Sequence, residues 1–299
     1  MSTPSDQPQT DLFEELVRLR AAGEPAALAT VIGTRGSTPG KETMRLLVRA
    51  DGSFVGTVGG GCVEADVVDA CLGVIESDIP KRMTFRLTAN ATGETGLMCG
   101  GELEVFIEPV TAPQLVLFGA GHISKDLCTI AARAGFRVTV VDDRASFANA
   151  ERFPEARRVI AADDFATCFA QLDVPASAFC VVVTRGHAYD LECTDFALHT
   201  DARYVGLIGS HVKVRNILRR LAKEGRLEGI DLERLHAPIG LDLGGGTHGE
   251  IAVAIVAELI AHRRGHLDGL RTKRISTQEM TTVTGRVIAQ PDAAEAGEA

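Results

Sequence analysis

Leu115-Val116-Leu117-Phe118-Gly119-Ala120-Gly121-His122-Ile123-Ser124 decides the fold. Four apolar residues in a row read as a short buried strand. Two glycines then turn the chain, and Ile123, Leu127, Ile130 and Ala134 follow at helical spacing. Gly119 permits the tight turn. Gly121 lets a phosphate approach the helix N-terminus, where unpaired N–H groups and the helix dipole favour an anion. Asp142 closes the next apolar run about 23 residues after Gly119, where a ribose-binding acid belongs. Ser124 stands where a third small residue is usual, and His122 either meets a ligand or faces solvent.

Outward from this turn the pattern repeats. Leu115–Phe118, Arg137–Asp142, Arg157–Ala161, Ala178–Thr184 and Tyr204–Ile208 are short apolar runs, and helical stretches separate most of them. Such alternation predicts a doubly wound parallel sheet of Rossmann type, covered on both faces. Loops at the carboxyl ends of the strands are where ligands bind. Two are singled out: Thr184-Arg185-Gly186-His187-Ala188-Tyr189-Asp190 and Gly206-Leu207-Ile208-Gly209-Ser210. His187 is either an acid–base group near neutral pH or an ordinary loop residue beside a capping Asp190. A last helix is expected from about Thr247 to Arg264, with Thr247 and Glu250 at capping-box spacing. Asp142 and Asp143 would repel a 2′-phosphate, which favours NAD over NADP, with Arg144 as the opposing charge.

Before residue 113 the alternation is absent. A helix over Asp11–Ala22, strands near Ala26–Ile32, Arg45–Arg49, Ser53–Val58, Arg82–Leu87 and Glu102–Ile107, and a helix carrying Val63, Val67, Cys71 and Val74 make a smaller α+β unit. Two of its cysteines sit in glycine-rich stretches, Gly59-Gly60-Gly61-Cys62-Val63-Glu64 and Met98-Cys99-Gly100-Gly101. They either pack as small hydrophobes beside turns or present sulfur to a cofactor. A helix N-terminus near Cys62 favours the thiolate. Residues 1–112 are therefore read as an α+β domain, 113–266 as the Rossmann-like domain and 267–299 as a mobile tail.

Composition narrows the class. The chain has 299 residues, 45% hydrophobic and 24% charged, with a net charge of −9. That balance disfavours nucleic acid as a partner, because phosphate neutralisation needs a basic surface. No apolar run reaches the ~20 residues that span a bilayer. Seven irregularly spaced cysteines argue against a disulfide framework, and Met1–Thr10 lacks the pattern of a secretory signal, so the expected compartment is the cytoplasm.

Taken in order, Gly36-Ser37-Thr38-Pro39, Gly56–Glu64, Cys99-Gly100-Gly101, Gly119-Ala120-Gly121-His122, Val140–Arg144, Phe153-Pro154, His187–Asp190, Tyr204–Ser210 and Pro238–Asp242 resemble the XdhC/CoxI family of molybdenum-hydroxylase maturation factors. The chain departs from the family pattern at Thr184-Arg185, where threonine-histidine is usual, and at Thr247-His248, where threonine-proline is usual. The resemblance implies a factor, more a carrier than an enzyme, that binds molybdenum cofactor (molybdopterin). It would protect the cofactor during sulfuration by a cysteine desulfurase-type partner and deliver it to an apo hydroxylase such as xanthine dehydrogenase. Cys62 or Cys99 would face the metal, with the cofactor between the two domains. Gly60, Gly61, Gly119, Gly121, His122, Asp142, His187 and Ser210 would contribute to binding, and a homodimer is the default assembly. The rival reading is an NAD-dependent oxidoreductase with His187 as proton donor, or a non-catalytic NAD sensor.

Overall fold

The computed structural model describes residues 11–87, 101–110 and 112–285. The chain divides into two compact units, residues 1–112 and 113–299.

In the first unit α1 (Leu12–Ala22) is capped by the Asp11 carboxylate, which accepts from the Phe13 and Glu14 N–H groups, and ends at Gly23 in the left-handed conformation. Strands β1 (Ala26–Gly36), β2 (Arg45–Arg49) and β3 (Phe54–Gly56) precede α2 (Gly61–Ser77), and β4 (Lys81–Leu87) and β5 (Gly101–Pro109) complete an antiparallel sheet in the order β3-β2-β1-β5-β4. Successive residues of a strand point to opposite faces. Leu46 accordingly packs with Val63, Val67, Cys71 and Val74 of α2, while Leu47 packs with Leu19 of α1. Glu15 is nearly buried between Arg18 and Arg49. Their hydrogen bonds, Arg18 first, bring its carboxyl down to about 2.

The second unit runs β6 (Gln114–Phe118), α3 (His122–Arg133), β7 (Arg137–Asp142), β8 (Arg158–Ala161), α4 (Phe165–Phe169), β9 (Phe179–Val182), α5 (His187–His199), β10 (Tyr204–Leu207), α6 (His211–Lys223), β11 (Leu235–His236), α7 (His248–Arg263) and α8 (Thr277–Thr284). All strand pairings are parallel, in the order β11-β10-β9-β6-β7-β8. Val116 and Phe118 of β6 enter the core that contains Val214, Leu218 and Leu221 of α6. Leu115 and Leu117 enter the core with Leu127 of α3 and Ile255 and Leu259 of α7. Both faces are covered, which is why β6 reads as an unbroken apolar run. The fold class is the one the sequence implied: a Rossmann-type sheet after a smaller α+β part. The capping box at Thr247 and Glu250 is also formed.

The reading of 267–299 as a tail needs correction. Ile275 and Met280 are buried in the same core as α6, Ser276 caps α8, and Arg215 pairs with Glu279 at 2.6 Å. These apolar contacts, the ion pairs of Arg215 with Glu279 and of Arg271 with Asp242, and backbone hydrogen bonds from Lys273 to Gly240 and from Ile275 to Ala237 dock a segment whose composition is otherwise polar. Residues 286–299 lie outside the described part.

Among the described residues no helix is long and apolar enough to cross a membrane.

A buried polar cluster sits under α7. The fully buried Glu258 carboxylate accepts from the Tyr204 hydroxyl at 2.7 Å and the Gly240 N–H at 2.6 Å, and lies 3.0 Å from His236 Nδ1. The His262 ring stands edge-on to Tyr204 and to His236. Burial, followed by the charges of His236, Arg203 and Arg274, lowers His262 to about 3.

The β6 turn and this core can each be tested by substitution. Gly119 has φ +110°, and a β-carbon there would lie 2.5 Å from the Val183 carbonyl oxygen, whereas a β-carbon at Gly121 meets nothing within 4 Å. Gly119→Ala should cost about 2–4 kcal/mol and Gly121→Ala under about 1 kcal/mol in urea unfolding. His262 is neutral when folded and protonates near 6.5 when unfolded, so only the unfolded chain takes up its proton as pH falls from 6.5 towards 3. Stability should therefore drop across that window, by up to about 1.4 kcal/mol per pH unit. His262→Phe should flatten the slope between pH 6.5 and about 5.5, above the range in which the unfolded chain's Glu15, ordinarily near 4.5, begins to protonate. An unchanged slope would show that His262 does not carry it.

Candidate functional site

The second unit gathers its candidates at the carboxyl ends of β6, β7 and β9. Strand order reverses between β6 and β9, and that reversal opens a crevice. A cavity of about 170 Å³ there is lined by Gly121, His122, Asp142, Arg144, Thr184, Arg185 and His248, with Ile123 and Val183. A larger groove of about 660 Å³, mostly apolar, lies between α3 and α7 along Thr129, Ile130, Leu243 and Val253. Lys125, Asp126 and Glu250 also line it.

The turn itself is rigid. Gly119 is held against the Val183–Thr184 backbone by a contact that tolerates no side chain. The buried Ser124 hydroxyl donates to the Gly119 carbonyl at 2.5 Å, which gives the third small position a polar role. Gly121 caps α3 without any side-chain partner, so the first-turn N–H groups face the crevice uncapped by the protein's side chains. The ring of His122, first residue of α3, lies nearly parallel to that of His248, first residue of α7, with centroids 5.3 Å apart.

Asp142 is buried, and its four acceptor positions are used. Oδ2 accepts from the Ala120 N–H at 2.7 Å and Arg144 Nη2 at 2.9 Å. Oδ1 accepts from the Arg144 N–H at 3.1 Å and Nε at 2.7 Å. Burial pushes its carboxyl up, but Arg144 and the Ala120 N–H outweigh burial and the net direction is down. A ribose diol reaching for Asp142 would have to displace one of these donors. Asp143, next in the chain, takes a two-pronged hydrogen bond from Arg185, at 2.6 and 2.7 Å. Arg185 also donates to the Tyr189 hydroxyl at 3.0 Å and lies 4.6 Å over that ring. Behind them the fully buried Asp190 accepts from the Thr184 hydroxyl at 2.8 Å and pairs with Lys213 at 2.5 Å, so it does not cap α5 with its side chain.

The crevice thus unites Gly121, His122 and Asp142, beside the Gly119 turn. Ser210 caps α6, accepting from the Lys213 N–H at 3.2 Å, and is exposed. His187 begins α5. Arg144, Arg185 and His248 were not among the candidates. For Arg144 and Arg185 the signal was a basic residue just past the ends of β7 and β9, whereas His248 opens α7 after a glycine-rich loop.

In the first unit Gly59, Gly60 and Gly61 all have positive φ, and Cys62 follows them, exposed on the first turn of α2. A β-carbon at Gly59 would lie 2.6 Å from the Gly40 nitrogen, which locks this loop against residues 39–40. Glu64 fastens the other side, accepting from the Thr57 hydroxyl at 2.6 Å. Cys99 lies outside the described residues. The remaining described cysteines are buried, and burial pushes Cys71, Cys128 and Cys180 up to about 12. Among the described residues no group of three or more histidine, cysteine or carboxylate side chains is placed to hold a metal ion.

Comparison with known proteins bears on both units. The XdhC Rossmann domain family matches residues 115–259, and the XdhC and CoxI family matches residues 19–86. The chain is 34% identical to YqeB of Escherichia coli over 264 residues, 88% of this chain and 48% of YqeB. It is 32% identical to a probable xanthine dehydrogenase subunit of Bacillus subtilis over 158 residues, 53% of this chain and 44% of that protein. It spans about half the length of the curated relatives it matches. A crystal structure described as a xanthine dehydrogenase from Bacillus halodurans aligns over 83% of this chain and 94% of that one, at 23% identity and a TM-score of 0.45. With one family domain matched in each unit, the chain belongs to the XdhC and CoxI family.

Proposed function

We propose that this protein is an accessory factor for a molybdenum hydroxylase of the xanthine dehydrogenase class, and that it carries molybdenum cofactor to that enzyme. The observation that carries the reading is the family match in both units, joined to a suitable donor in each. Molybdenum accepts soft sulfur ligands, and Cys62 offers an exposed thiol on the first turn of α2. The cofactor's pterin carries a phosphate, and the uncapped start of α3 beside Gly121 suits an anion. The Bacillus subtilis relative, named for xanthine dehydrogenase, supports the choice of client. A nicotinamide-dependent oxidoreductase is less well supported, because the acid expected to hold the ribose is already saturated by Arg144 and Ala120.

In this reading Cys62 is the metal contact. The protein needs no turnover of its own, and sulfuration is performed by a separate desulfurase-type partner while the cofactor is sheltered. A dimer is the expected carrier state.

The test is retention. Purified protein is loaded with molybdenum cofactor, passed through gel filtration and assayed for molybdenum and for oxidised-pterin fluorescence. Cys62→Ala should lower retention at least about tenfold, the loss of a ligand–metal contact of a few kcal/mol. Cys71→Ala, which alters a buried thiol, should retain cofactor normally. Full retention by Cys62→Ala, Cys99→Ala and the double variant would overturn the assignment. So would failure of the loaded protein to reconstitute apo-xanthine dehydrogenase.

A further inference from the structure

Arg185 and Asp143 are joined across the mouth of the crevice. Asp143 follows β7, Arg185 follows β9, and β6 lies between those strands in the sheet. The ion pair therefore passes over the carboxyl end of β6, where the Gly119–Gly121 turn begins α3. We propose that Arg185 is the residue that recognises the anionic group of the crevice's occupant, and that a phosphoryl group takes the place of Asp143 on its guanidinium.

The cations around the cavity differ in what they can release. Arg144 saturates the buried Asp142, and Lys213 balances the fully buried Asp190. Withdrawing either would leave a carboxylate charged and unpaired inside the protein, which is costly. Arg152 is spent on the carbonyls of Phe147 and Ala120. Arg185 is more open, its side chain 37% exposed. Its partner has a second cation nearby, since Arg144 Nε stands 3.8 Å from Asp143 Oδ1. With Arg185 withdrawn, Asp143, whose side chain is 8% exposed, keeps the charge of Arg144 beside it but no hydrogen bond from it.

Arg185 is also held ready. The Tyr189 ring lies beneath the guanidinium and the Tyr189 hydroxyl accepts from Nη2, so its plane is set by groups other than Asp143. The fork that now fits two carboxylate oxygens fits two phosphoryl oxygens equally well. An anion there would have the start of α3 on its other side, at the Gly121 position where nothing of the protein lies within 4 Å of a β-carbon.

This inference rests on the reading that the crevice takes a phosphate-bearing occupant, but its test uses inorganic pyrophosphate and no molybdenum. Calorimetric titration of the full chain should show Asp143→Asn binding pyrophosphate about tenfold more tightly than the parent, because the competing internal carboxylate is gone. Arg185→Gln should bind at least about tenfold more weakly. In the Arg185→Gln background, Asp143→Asn should bring no gain. Asp126→Asn, an equal change in net charge outside the crevice, should also bring none. Thermal melting of each variant checks that it is folded. Unchanged or weaker binding by Asp143→Asn overturns the proposal, as does an equal gain from Asp126→Asn, unaffected binding by Arg185→Gln, or no pyrophosphate binding by parent and Asp143→Asn alike. If the pyrophosphate pattern holds while cofactor retention fails, the carrier reading falls and the anion site stands.

Discussion

A buried carboxylate must be paired, and Asp142 is paired with donors from two directions. The Ala120 N–H fixes it to the turn after β6, and Arg144 fixes it to the segment after β7. Neighbouring parallel strands are thereby tied at the end where the crevice opens. The Ala120 N–H already has a buried acceptor, so the turn needs no occupant to hold its shape. What remains for an occupant is the set of groups the protein leaves without side-chain partners: the first-turn N–H groups of α3 and the open side of Gly121.

The same pairing governs the electrostatics. An acidic chain of net charge −9 would ordinarily repel a phosphate from a site built on Asp142 and Asp143. Arg144 and Arg185 cancel these two acids, each from within hydrogen-bonding distance, and Lys213 cancels Asp190 behind them. The crevice floor is then close to neutral, and the dipole of α3 supplies the remaining attraction for an anion. The overall charge therefore says little about this site. The sign and pairing of a few side chains within ~8 Å, about one screening length, decide what enters.

Much of this was legible in the sequence where the cause is local. The run Leu115–Phe118, the Gly119–Gly121 turn and Asp142 lie within one strand–turn–helix–strand unit, and sequence spacing alone relates them. The capping box of α7 involves residues three apart. The Arg185–Asp143 pair was not legible, because 42 residues separate its members and only the strand order brings them together. β11 has two residues and α8 has eight, too few for a period to show. The docking of Ile275 and Met280 depends on a pocket supplied by α6, which the local composition of that segment cannot reveal.

The cysteines show how position, not residue type, sets the chemistry. Cys62 and Cys71 lie nine residues apart on α2, two and a half turns of a helix with 3.6 residues per turn, and so on opposite faces. Cys71 points into the core against the sheet, where no water stabilises a thiolate, and burial pushes it up to about 12. Cys62 points outward from a helix start cleared by three glycines. Those glycines do not make a slack loop. Gly59 is pressed against the backbone of residues 39–40 with no space for a side chain, while nothing stands within 4 Å of a β-carbon at Gly60. A sulfur ligand for a large, soft metal group needs a fixed position together with an unobstructed approach. Positive-φ glycines packed on one side and open on the other provide both, which is why Cys62 and not a buried thiol is the metal contact proposed above.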